Sequence, residues 1–166
     1  EALTTLGGTG KGLKGGVNEI SAALGILANA DITGSEGGTH LRNMILSLQN
    51  PRNKNAAAMF EQLGIKAYMA EGQMRGLNEI FGDLNTAMAG MNDAERNAAI
   101  ATIFKQTDLA AARAICDGCG KEYDELYEAA VHASDGIGAA QEMYDRQTDN
   151  LQGDIDKLNS ALADIG

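Results

Sequence analysis

One stretch of the sequence limits the fold more than any other: Leu24 to Pro51, LGILANADITGSEGGTHLRNMILSLQNP. Leu41, Met44, Ile45 and Leu48 recur at i, i+3, i+4 and i+7, the spacing of one buried helical stripe. Leu24 and Leu27 end an earlier stripe, and the sole proline, Pro51, stops the later one. Two apolar stripes joined by a short connection predict a helical hairpin. In the connection, Gly34 allows the chain to turn. Ser35 is placed to accept hydrogen bonds from the unpaired amides of the next turn, and Glu36 puts negative charge at the positive end of the helix dipole.

The same punctuation continues along the chain. Val17, Ile20, Leu24 and Leu27 predict a first helix from Val17 to about Asn29. Asn53 to Leu63 predicts a third, with Ala56, Met59, Phe60 and Leu63 on one side and Gly64 as a left-handed cap. Around residues 65–75 the rhythm changes to alternation, with Glu71-Gly72 as a turn, which reads as a tiny β-hairpin or an extended crossing. Leu77, Ile80, Phe81, Leu84 and Met88 give a fourth helix ending at Gly90. Asn92 and Glu95 form the pattern of a capping box that opens a fifth helix, running through Phe104. Thr107 or Asp108 caps a short sixth helix containing Leu109, Ala112, Ile115 and Cys116, and a seventh covers roughly Glu122 to Ala133. From Ala139 to Ile165, Met143, Gln147, Leu151, Ile155, Leu158, Leu162 and Ile165 mark a long amphipathic helix. Its narrow stripe suits either a surface helix of the same domain or the start of a coiled coil. The expected fold is therefore all-α: short helices in a compact bundle, then this long C-terminal helix. The expected organisation is a flexible glycine-rich leader over 1–16, a helical domain over 17–134, and the long helix over 135–166. The missing initiator methionine and an apolar pattern still running at Ile165 suggest a piece of a longer protein.

Composition narrows the function. A formal net charge of −10 with no basic stripe opposes sequence-independent nucleic-acid binding, because phosphate contacts need Lys and Arg to displace counterions. Aromatic residues make up 4% and tryptophan is absent, which favours slim, closely packed helices. No apolar run approaches the roughly 20 residues that span a bilayer. GKGLKG, Gly10 to Gly15, fits a dinucleotide-binding expression but lacks the strand before it and the acidic ribose ligand after it, so it reads as leader.

Cys116-Asp117-Gly118-Cys119-Gly120-Lys121 has the shape of a zinc knuckle, in which a turn aims two thiolates at one metal. Only His40 and His132 are available as further nitrogen ligands, and they form no HxxxH pair. Three readings stand: a reduced, ligand-free pair, a disulfide, or zinc shared with a histidine or a second chain. The plentiful carboxylates lie mostly on polar faces and read as solvated. His40, beside the stripe of the second helix, reads as a boundary residue, and no catalytic residue is assigned.

Taken in order, LGILANADITGSEGGTHLRNMILSLQNP, EQLGI, AEGQMRGLNEIFGDLNTAM, ERNAAIATIF with LAAARAI, and SDGIGAAQEMYDRQTDNLQGDIDKLNSAL resemble the conserved core of phage tail tape measure proteins of the lactococcal-siphophage type. The similarity runs over nearly the whole chain after the leader; the CxxC turn departs from it, since similar sequences carry an apolar, glycine-containing turn there. The resemblance implies a structural virion protein of a phage or prophage, not an enzyme. Such proteins set tail length by their own length, scaffold the tail tube and leave ahead of the genome during ejection. Implied partners are the tail tube protein, tail assembly chaperones, tail-tip proteins and further copies of the chain. The implied locations are the tail lumen and, during assembly, the host cytoplasm. A zinc-stabilised regulatory or binding module built on Cys116 and Cys119 is the alternative.

Overall fold

The computed structural model describes residues 6, 9 and 12–135. The chain divides into two compact units, Glu1–Ala130 and Val131–Gly166. The described part of the second unit, residues 131–135, is helical. The expected long helix over 139–166 lies outside the described residues, as does most of the expected leader.

The first unit is all-α. Its helices are α1 (Gly16–Asn29), α2 (Gly34–Gln49), α3 (Lys54–Leu63), α4 (Leu77–Ala87), α5 (Asp93–Ile103) and α6 (Leu109–Gly118), with a 3-10 turn at Gln106–Asp108. A further helix, α7, begins at residue 121. No helix among the described residues is long and apolar enough to cross a membrane.

Most helix ends are explained locally. Asn92 accepts from the Glu95 amide while the Glu95 side chain returns to the Asn92 amide, completing the capping box. Gly64 closes α3 at φ 67°, a left-handed conformation that costs glycine nothing. Asn50 is extended before Pro51, as the clash with the proline ring requires. The α1–α2 connection is built differently from expectation. Gly34 does turn at φ 60°, but Asp31 shares the reversal at φ 62°. Thr33 occupies the N-cap position of α2 without a side-chain bond, so Ser35 lies inside the helix and is not its cap. A Cβ on Gly37 would stand 2.9 Å from the Ile32 carbonyl oxygen, so the connection folds over the first turn of α2 only because that residue is glycine.

The expected hairpin at 65–75 reduces to an isolated antiparallel bridge between Tyr68 and Met74. Met69 N–H donates to the Gln73 carbonyl and Arg75 N–H to that of Ala67, each at 2.9 Å. On the other side of Met74, Leu13 pairs in parallel, and Lys14 N–H donates to the Met74 carbonyl at 3.2 Å. Within the stretch read as leader, Leu6 and Leu13 are buried in the core.

The core is centred on α6, which packs against α1, α2, α4 and α5. Its sequence, LAAARAICDG, explains how one helix can touch four: Ala111 and Ala112 are fully buried and too small to hold neighbours apart. Close approach continues at glycines. Leu126 of α7 lies 3.1 Å from where a Cβ of Gly25 would be, and Ile26 lies 2.9 Å from that of Gly118. The buried face of α1 is consequently rotated from the expected stripe. Ala22, Ala23, Ile26 and Leu27 face inward, whereas Val17 is 64% exposed. On α2 the expected stripe holds: Leu41, Met44, Ile45 and Leu48 are all buried.

Candidate functional site

Cys116 lies in the last turn of α6, fully buried, and Cys119 is half-buried just beyond the helix. Both are free thiols, and Cys119 Sγ donates to the Cys116 carbonyl at 2.9 Å. The helix runs through Gly118, so the first thiol points into the core and not into an open turn. Burial pushes the Cys116 thiol up to about 12, with Cys119 and Asp117 adding to the effect, and burial also raises Cys119. Among the described residues no group of three or more His, Cys, Asp or Glu converges as a metal site. A thiol is nucleophilic only as thiolate. With iodoacetamide at about pH 8, the native protein should therefore label slowly, Cys119 before Cys116, whereas the denatured chain labels at both. Equal rapid labelling of the two in native protein, read by intact mass and peptide mapping, would show Cys116 to be open.

His40 sits on α2, and its Nδ1 donates to Asp108 Oδ1 at 2.7 Å. Asn43, three residues on, reaches the same oxygen at 3.4 Å, and Glu36, four residues back, lies 3.8 Å from His40 Nε2. Asp108 is completely buried at the start of α6, and its Oδ2 has no hydrogen-bond partner. Asp108 does take the N-cap position, but its side chain makes no cap bond. It turns instead to α2 and ties the α5–α6 connection to the hairpin. His40 is thus a half-buried link between helices.

A second buried carboxylate escaped the sequence reading. Glu19 projects from the inner side of α1 and is 8% exposed. Its Oε2 accepts from Leu77 N–H, the first amide of α4, at 3.1 Å. Gly76, in the N-cap position of α4, has no side chain with which to cap, so a carboxylate 58 residues earlier serves the otherwise unpaired amide. A Cβ on Gly76 would stand 2.7 Å from Glu19 Oε1, so a larger residue there would push the Glu19 carboxylate aside. From α7, the Tyr123 hydroxyl contacts both Glu19 Oε2 and the Glu19 carbonyl, the latter at 2.9 Å. Asn78 completes the junction, accepting from Gly120 N–H and donating to Asp124, each at 2.8 Å. Burial outweighs these hydrogen bonds and raises the Glu19 pKa above its ordinary 4.5; burial likewise pushes Tyr123 upward. A small cavity of about 200 Å³, lined by Glu19, Asn78, Glu79, Tyr123, Asp124 and Tyr127, adjoins the junction.

Glu19 and Asp108 are the exceptions to the reading that the acidic side chains are solvated; the other described Asp and Glu residues are exposed. A signal for Glu19 existed in its place on α1, four residues before buried Ala23 and seven before buried Ile26. None existed for Asp108 or Tyr123, whose partners are remote in sequence. A shallow depression of about 390 Å³ lies between α3 and α5, bordered by Met59, Gln62, Met91, Ala98 and Thr102.

The profile of a family described as phage-related minor tail protein matches residues 1–105. Over 149 residues, covering 90% of this chain, the sequence is 33% identical to the tape measure protein of Pneumococcus phage Dp-1. It is 29% identical to the probable tape measure protein of Escherichia phage P2 across 100% of this chain. The matched regions are 13% and 20% of those two proteins, so the chain spans a small part of their length. No solved structure matches the chain significantly.

Proposed function

The chain belongs to the phage-related minor tail protein family, and on that basis we propose that it is a structural component of a phage tail, a folded island within a tape measure protein. In this reading the parent protein sets tail length, scaffolds assembly of the tube and takes part in genome ejection. The observation that carries it is similarity to a tape measure protein and to a probable tape measure protein over 90% and 100% of the chain. The fold suits an island better than a ruler shaft. An α-helix advances about 1.5 Å per residue, and helices of 10 to 16 residues folded back on one another make a poor measuring rod.

The surfaces of the island would then serve contacts with tube protein, assembly chaperones and tail-tip proteins. Residues 139–166 would add self-association through their stripe of Met143, Leu151, Ile155, Leu158, Leu162 and Ile165. The location is the virion tail, with assembly proposed to take place in the host cytoplasm.

Deleting helical segments of the parent protein outside residues 12–135 should shorten tails in proportion, by about 1.5 Å per residue removed, as measured by electron microscopy of intact phage. Tails of unchanged length would overturn the proposal.

A further inference from the structure

We propose that the Glu19–Tyr123 contact is a proton-operated latch on residues 121–130, closed while Glu19 holds a proton and loosened when that proton is lost. The inference rests first on a count of protons. The Tyr123 hydroxyl meets two oxygens, the Glu19 carbonyl at 2.9 Å and Glu19 Oε2. A phenol has a single proton to donate. If it goes to the carbonyl, the contact with Oε2 is a hydrogen bond only when Oε2 carries its own proton and donates to the phenol oxygen. Oε2 then keeps a lone pair for Leu77 N–H at 3.1 Å. With Glu19 ionised, the one phenol proton must serve both oxygens or leave one contact without a proton, so the junction has one hydrogen bond fewer than in the protonated state.

The surroundings favour the same state. The charged groups around Glu19 are Lys14 from the segment before α1, Arg75 just ahead of α4, Glu79 in the first turn of α4, and Asp124 of α7; Tyr127 is the other titratable group. The Lys14 ammonium is committed to Glu79 Oε1 at 2.8 Å, and Arg75 pairs with Glu79 and Asp83. Lys14 feels the Glu19 charge but is thus already shared with Glu79. Burial first, and then the nearby Glu79 carboxylate, raise the pKa of Glu19 above 4.5. The adjoining cavity of about 200 Å³ gives water a route to the carboxylate once it ionises. What then loosens is α7, whose Leu126 and Tyr127 seat on Gly25 and Gly15.

The sign follows from linkage. The acid binds its proton more tightly in the closed state than in the open one. The stabilisation is therefore complete below 4.5 and is lost as pH rises through the higher closed-state value. Hydrogen exchange of residues 121–130 in the full chain, corrected for intrinsic rates between roughly pH 4 and pH 8, should show protection falling by up to about tenfold per pH unit before levelling off. The carboxyl-carbon NMR titration of Glu19 should have its midpoint above 4.5 and coincide with that fall. Glu19→Gln, which cannot ionise, should flatten the profile, even though its single atom at the Oε2 position serves only one of Tyr123 and Leu77 N–H. If that variant does not fold, the wild-type titration decides alone. A Glu19 midpoint at or below 4.5, protection that does not change through the midpoint, or an unaltered profile in folded Glu19→Gln would each overturn the latch.

Discussion

Phe104→Ala removes roughly 3–5 kcal/mol of stability from the first unit. Phe104 follows the last turn of α5 and stacks on Phe81 of α4, with ring centroids 5.5 Å apart and planes inclined by 9°. Both side chains are completely buried. Truncation forfeits the apolar area, the ring contact and the packing around the resulting void, which helices already fixed by α6 can close only in part. A domain of this size has about 5–15 kcal/mol in total, so the variant should be marginal at room temperature. Urea denaturation followed by circular dichroism measures the loss. Phe104→Leu, which refills most of the volume, should recover more than half of it. A loss below about 1 kcal/mol for the alanine variant would mean that the site collapses freely and that the aromatic pair is not central to the core.

His40→Ala should cost roughly 3–5 kcal/mol, because it strips the main partner from a carboxylate with no access to water. Asp108 would keep only Asn43 at 3.4 Å, with its second oxygen already unpartnered. The reverse change, Asp108→Asn, keeps an acceptor for His40 and removes the buried charge, so it should cost less than His40→Ala. Combining His40→Leu with Asp108→Leu should cost well under the sum of the two single leucine variants, since one interaction is being removed twice. Additive losses in that cycle would show that the 2.7 Å contact does not couple the hairpin to the α5–α6 connection.

Several elements could be read from the sequence because their causes lie within one or two helical turns. The capping box at Asn92 and Glu95 needs only residues three apart, and the left-handed close of α3 needs only Gly64. The stripe of α2 emerged residue by residue, since Leu41, Met44, Ile45 and Leu48 meet the core whatever the neighbours are. Elsewhere the same reasoning failed for a definable reason. Ser35 and Asp108 were assigned as caps from their chemistry, but Ser35 sits within α2 and Asp108 turned away to His40, 68 residues distant in sequence. Val17 completed an apolar repeat yet faces outward, because α6 and α7 approach α1 from the side where Ala22, Gly25 and Ile26 are small or well placed.

The sequence by itself determined that the chain is helical, where most helices start and stop, and which family it resembles. The first two follow from periodicity and capping, which act over a few residues, and the third from the order of many such signals along the chain. The hairpin at Leu24–Pro51 is present as expected. The centre, however, is α6, an alanine-rich helix whose thin surface admits four neighbours. Only the tertiary structure decided that, and with it the burial of Glu19, Asp108 and Cys116. A carboxylate or thiol on a helix has the same local pattern whether it faces water or a neighbour. Its environment is fixed by which helices pack against it, and for Glu19 the decisive partner, Tyr123, lies 104 residues away.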